Sequence, residues 1–339
     1  MRISAFVLRI IRQILRDKRT LALILFAPLL ILTMLWLVFD NSDYKPKVGV
    51  VYEQSAQKSD SLSSEFKDFK NQNDADKSLK DGDLDGYLLS GPHPKIVLEG
   101  SDPSRNRAVL KEIQDAMPVF QPMSASKLPV EYVYGSKDMG QFDSFGPVLL
   151  GFFCFFFVFL ISGVSFLRER TSGTLERLLA SPIKIWEMVI SYVIGFGIFM
   201  IIQASLLSLY AIYVLDMMMT GSFFNVLIII LLLSLTALTL GILLSAFARN
   251  ELQMMQFIPL VIVPQIFFSG LFNLDAISDW LSWIGPITPL YYAAQALKDV
   301  MIKGYSFTDI LTPVLVLTGF SLVFILLNIF ALNKYRKTS

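Results

Sequence analysis

Two stretches without a charged side chain, Gly151 to Leu167 and Met188 to Leu215, bracket the charged segment RERTSGTLERLLASPIKIWE at 168–187. Each run is long enough to cross a bilayer as a helix, and a helix satisfies its own backbone groups where water is excluded. The segment between them is then confined to one membrane surface, within reach of soluble partners. A hydrophobic content of 54% extends the pattern to the whole chain, since soluble domains carry roughly 45–50% apolar residues. A polytopic membrane protein is expected.

The expected fold is α-helical, with six transmembrane helices and a small extracellular α/β domain between the first two. The spans are Leu21 to Phe39, Phe145 to Leu167, Val189 to Leu215, Phe223 to Phe247, Met254 to Phe272 and Ile310 to Leu332. Pro259 and Pro264 interrupt the fifth, and Gly270 ends its apolar run, so a broken or partly re-entrant helix is expected there. Short basic segments collect on the inner side. With the N-terminus inside, that side holds Arg2, Arg9, Arg12, Arg16, Lys18 and Arg19, then Arg168, Arg170, Arg177 and Lys184, then Arg249, and finally Lys334, Arg336 and Lys337. Both termini are assigned to the cytoplasm.

Residues 1–19 read as a cytoplasmic amphipathic helix lying on the inner membrane face, ahead of the first span at 20–39. Ile3, Phe6, Val7, Ile10, Ile11, Ile14 and Leu15 recur at helical spacing opposite the arginines. The apolar run that follows has no small-residue cleavage site, so it is read as an uncleaved span.

Residues 40–144 form the one substantial soluble segment, large enough for its own core. Lys47 to Tyr52, Gly86 to Leu89, Ile96 to Leu98 and Val130 to Tyr134 read as strands; Leu62 to Phe69 and Ala108 to Met117 read as helices. Asp81, Asp83 and Asp85 mimic the start of a calcium loop, but the twelfth position is Pro92 where a bidentate Glu is required, so a solvated turn is expected. His93 sits in a Gly-Pro-His-Pro turn and reads as solvated, and Cys154 reads as an apolar core residue.

No zinc-protease, redox, nucleophile-elbow or phosphate-loop motif occurs, so the chain is expected to be no enzyme and to hold no cofactor of its own. None of the six spans contains an ionisable side chain of the kind that ion-coupled carriers use as relays. Energy for transport would have to enter from outside the membrane. Gln203, Asn225, Gln256, Gln265 and Asn328 are expected to join helices by hydrogen bonds.

The basic amphipathic N-terminal helix, the external domain between spans one and two, the Arg-Glu-Arg…Gly-Thr-Leu-Glu-Arg-Leu-Leu-Ala-Ser-Pro loop and the broken fifth span resemble a permease subunit of the type-2 ABC transporters. The resemblance covers nearly the whole chain. It implies separate ABC ATPase subunits carrying ATP and Mg, a second permease chain in a homodimer or heterodimer, membrane lipid as surroundings and no nucleic acid. It also implies a bacterial plasma membrane location. The exported substrate would be hydrophobic or amphiphilic (a drug, antibiotic, lipid or lipopeptide), with sodium export as the alternative and a membrane-anchored sensor or scaffold as a further one. The family often has Gly-Lys at the start of the third span, where Ile190 and Ser191 stand here.

Within residues 145–339 the resemblance makes 168–187 a coupling loop, whose residues are Glu169, Gly173, Thr174, Glu176, Arg177, Leu178, Ser181 and Pro182. Gly173 can end the preceding helix, Thr174 to Ala180 can form a short one, and Ser181-Pro182 can start the next. Glu169, Glu176 and Arg177 would offer charge to the ATPase, and Leu175, Leu178 and Leu179 an apolar patch. The outer-face segment 273–309, with Trp280, Trp283, Tyr291 and Tyr292, reads either as an interface anchor or as an exit gate. The Phe-rich run from Phe152 to Phe159 reaches most of the way round a helix.

Overall fold

The apolar runs do form helices. In the computed structural model, which describes residues 2–38, 46–52, 66–91, 94–116, 130–135, 139–180, 183–272 and 283–338, the first two are α1 (Arg2–Arg16) and α2 (Lys18–Val38), separated by Asp17. Two compact units follow from the contacts: Val38–Ser144, and Met1–Leu37 together with Phe145–Ser339.

Within Val38–Ser144 the strands are β1 (Val48–Tyr52), β2 (Lys67–Phe69), β3 (Gly86–Ser90), β4 (Lys95–Leu98) and β5 (Val130–Tyr132), and the helices are α3 (Gln72–Lys80) and α4 (Pro103–Ala116). They build one mixed sheet in the order β2-β1-β3-β4-β5, antiparallel only between β3 and β4. Central strands buried on both faces read as continuous apolar runs. On one face Val48, Val50, Leu88, Ile96 and Leu98 pack with Val109 and Ile113 of α4; on the other Val51, Tyr87 and Val97 pack with Ala75 and Leu79 of α3.

Residues 67–69 of the expected helix Leu62 to Phe69 are an edge strand, parallel to β1, and residues 62–65 lie outside the described residues. The helix begins three residues later, because Phe69 is needed against the Val51 face of the sheet. Asp85 is no calcium ligand in waiting: it accepts the Lys47 backbone N–H at 2.7 Å and Arg105 Nη1 at 3.1 Å. His93 lies outside the described residues.

The second unit adds α5 (Gln141–Thr171), α6 (Thr174–Leu179), α7 (Ile185–Tyr213), α8 (Phe223–Ser245), α9 (Glu251–Ile266), α10 (Pro289–Met301) and α11 (Leu311–Thr338). Among the described residues five helices are long and apolar enough to cross a membrane: Phe142–Thr171, Ile185–Tyr213, Phe223–Ser245, Glu251–Leu271 and Leu311–Lys334. In α2 the apolar stretch is the shorter Leu25–Leu37.

Small residues let these helices meet closely where no water drives them together. A Cβ on Gly241 of α8 would stand 2.2 Å from Ser162 Oγ and 2.6 Å from the Phe159 carbonyl of α5. Between α8 and α11, Thr236 and Ser321 share a hydrogen bond at 2.8 Å, and Asn328 Nδ2 donates to the Thr239 carbonyl at 2.7 Å. Phe153, Phe155, Phe157 and Phe159 are buried, while Phe152 and Phe156 are half-buried.

The span expected as the fifth is broken, but not at its prolines. α9 runs through Pro259 and Pro264 and gives way to a wider turn at Phe267–Leu271, where Gly270 takes φ +81°. Each proline removes one N–H, which a helix tolerates when its neighbours persist; the left-handed glycine stops it. α10 flanks the break, with Gln265 Oε1 accepting the Leu290 N–H at 2.9 Å and Lys298 Nζ donating to the Gly270 carbonyl at 3.2 Å. Trp283 is exposed and Tyr291 and Tyr292 are half-buried; Trp280 lies outside the described residues.

Candidate functional site

Three consecutive residues at the end of α5 point three ways, as a rotation of about 100° per residue requires. Exposed Arg168 donates through Nε to Glu251 Oε1 of α9 at 2.8 Å and lies 3.9 Å from Asp17. Arg170 donates to the carbonyls of Ser245 at 2.9 Å, Ala246 at 2.6 Å and Ala248, closing the C-terminal end of α8, where the helix dipole favours a cation.

Glu169 points inward and is 5% exposed. Arg9 Nη2 of α1 lies 3.3 Å from its Oε2, and the Tyr192 hydroxyl of α7 donates to the same oxygen. Phe6 and Phe166 meet the Tyr192 ring edge-on at 5.2 Å and 5.0 Å, which packs apolar surface around the hydroxyl that holds the carboxylate. A buried carboxylate without these partners would be strongly disfavoured. The charge expected to meet the ATPase is therefore used inside the protein, joining α1, α5 and α7.

Beyond α5 the chain turns at Ser172 and Gly173, whose φ of +69° a residue with a Cβ rarely adopts. α6 then covers Thr174–Leu179, one residue shorter than expected. Leu175 and Leu179 are buried and fasten it to the bundle, so they form no apolar patch; Leu178 is half-buried. Glu176 and Arg177 are exposed, and Arg177 Nε folds back to donate to the Gly173 carbonyl at 3.3 Å. Ser181 and Pro182 lie outside the described residues. The next helix opens with the Lys184 N–H donating to Glu187 Oε2 at 2.8 Å.

The contribution of α1 was half legible. Its stripe Phe6, Ile10 and Ile14 is buried, but against α7 instead of lipid. Gly195 makes this possible, since a Cβ there would stand 2.9 Å from Ile10 Cγ2. This close approach lies one turn beyond Ser191, whose hydroxyl bonds back to the Glu187 carbonyl at 2.6 Å. Sequence reading missed Arg9, Tyr192 and Glu251 as members of the site. The signal available was Tyr192, a tyrosine in the mainly apolar first half of α7. Between α1 and the turn an open cleft of about 500 Å³ is lined by Arg9, Gln13, Arg168, Glu169, Thr171, Ser172 and Thr174.

Comparison with known proteins gives this arrangement a family. A family model described as "ABC-2 family transporter protein" matches residues 18–330. "ABC transporter G family member 20" of Dictyostelium discoideum is 27% identical over 218 residues, which is 63% of this chain and 30% of that protein. "Probable multidrug ABC transporter permease YbhR" of Escherichia coli (strain K12) is 24% identical over 177 residues, 51% of this chain and 48% of that protein. The chain thus spans less than half the length of either of these relatives in the matched region. With the family model matching nearly the whole chain and five long apolar helices in the fold, the chain belongs to the ABC-2 family of transporter proteins and is a multi-pass membrane permease.

Proposed function

We propose that this chain is the membrane subunit of an ATP-driven exporter, two permease chains working with two separate ATPase subunits that hold ATP and Mg. The observation that carries this reading is the exposed pair Glu176 and Arg177 on a short helix whose other side, Leu175 and Leu179, is fastened to the bundle. Such a helix presents charge outward and transmits force inward. A push on α6 reaches α5 through the Gly173 turn, and α1 and α7 through Glu169.

In this reading α2 is the first of six spans, both termini and residues 168–187 are cytoplasmic, and Val38–Ser144 lies outside a bacterial plasma membrane. The basic segments at Arg9–Lys18, Arg168–Lys184 and Lys334–Lys337 support that orientation. The substrate is hydrophobic or amphiphilic. That choice is supported by the apolar spans and by the relative whose name includes multidrug transport.

The test is reconstitution of the purified chain in proteoliposomes with and without its ATPase subunit. ATP-dependent movement of an amphiphilic dye is expected only when both are present; ATP hydrolysis by the permease alone, after contaminants are removed, contradicts the proposal.

A further inference from the structure

α1 carries two apolar stripes, and among the described residues one of them is covered. Phe6, Ile10 and Ile14 recur every four residues and are buried, Ile10 in the space left by Gly195. Leu8, Ile11 and Leu15 follow the same helical spacing on a face more than a third of a turn away. Leu8 is 47% exposed, Leu15 is 54% exposed, and Ile11 is half-covered. Among the described residues no neighbour buries this second stripe.

Cations flank it. Arg12 and Arg16 lie one turn apart on the flank of the second stripe, and Lys18 opens α2; all three are exposed. Among the described residues none of them pairs with a carboxylate. The nearby acids are taken by other cations: Glu169 by Arg9, and Asp17 by Arg168. An exposed apolar stripe flanked by exposed cations, joined directly to an apolar helix, is the pattern of a helix lying at a lipid interface. The cations add selectivity, because each Lys or Arg near an anionic leaflet contributes to attraction that a zwitterionic surface lacks.

We propose that the uncovered face of α1 binds anionic phospholipid, with acyl chains against Leu8, Ile11 and Leu15 and headgroup phosphates on Arg12, Arg16 and Lys18. The site rests on the membrane placement of α1 given above and is independent of what the protein exports. It also bears on coupling. Arg9, on the same helix, holds Glu169 at the base of the α6 turn, so lipid on one side of α1 steadies the helix that the coupling segment leans on.

Bimane at Leu15→Cys in a full-length Cys154→Ser chain, with Glu176→Cys as the aqueous control, reports the surroundings in nanodiscs. Brominated phosphatidylglycerol should quench position 15 more strongly than brominated phosphatidylcholine, and neither lipid should quench position 176. Replacing Arg12, Arg16 and Lys18 by Gln should remove the preference, by up to about fivefold per charge, while apolar quenching stays. Arg12→Lys with Arg16→Lys should keep it. Should the Gln variant fail to fold, salt supplies the second measurement: at about 1 M, where the screening length falls to about 3 Å, the wild-type preference should vanish. Equal quenching by the two lipids, a preference insensitive to salt, or quenching at position 15 by aqueous iodide and not by lipid would each overturn the proposal.

Discussion

Glu169 and Glu176 lie in one charged segment of the sequence, yet one is buried and the other exposed. Glu169→Gln keeps the shape but removes the charge that Arg9 and Tyr192 share. It should cost about 1–3 kcal/mol, as loss of a charged and partly buried hydrogen-bonded partner does. The expected readouts are a lower unfolding temperature in detergent and faster tryptic cleavage after Arg12 and Arg16 as α1 detaches. Unchanged cleavage would mean that α1 is held by its apolar stripe alone. A second residue-scale prediction concerns Tyr87, whose hydroxyl donates to Asp76 Oδ1 at 2.6 Å. Burial first, and then this bond, push its pKa above the ordinary value of 10.0. The folded state therefore holds the phenolic proton more tightly than the unfolded chain does. Its contribution is complete below about pH 10 and is lost as pH rises through the folded value. A fluorophore at Lys80→Cys in the Cys154→Ser chain should report a urea midpoint that falls above pH 10, and Tyr87→Phe should flatten that dependence.

At the scale of elements, the close approach of α5 and α8 rests on Gly241. Gly241→Ala puts a methyl group against backbone, and overpacking of this kind should cost about 1–3 kcal/mol, seen as a lower unfolding temperature in detergent. An unchanged temperature would show that the two helices can separate without penalty. What sequence disclosed about the elements follows from what sets each one. Charge-free runs located α5, α7, α8 and α11, because membrane length and hydropathy act within one segment. Alternation and short apolar runs located the strands β1, β3 and β4 for a similar local reason. The failures needed a partner in space. Residues 67–69 become a strand only because β1 offers an edge. The stripe of α1 turns to α7 only because Gly195 admits Ile10. The prolines of α9 signalled a break whose position was set by Gly270 and by the two contacts from α10. In the candidate site the Gly173 turn and the α6 helix were legible from local spacing, whereas the inward direction of Glu169 depends on Arg9 and Tyr192, distant in sequence.

For the molecule as a whole, family membership and the apolar helices make the chain a membrane permease, and the proposed input of energy enters at one surface. Glu176 and Arg177 are exposed, so altering them should leave folding within about 0.5 kcal/mol of the parent. At a docked interface the same reversal brings like charges together, which costs several kcal/mol and can weaken association by tenfold or more. The most direct measurement is therefore ATPase-subunit co-purification and ATP-driven transport for Glu176→Arg, alone and with Arg177→Glu, at matched permease abundance and unfolding temperature. The predicted result is unchanged stability with lost association and transport. Normal transport by both stable variants would contradict coupling through α6 and reduce this helix to a connector.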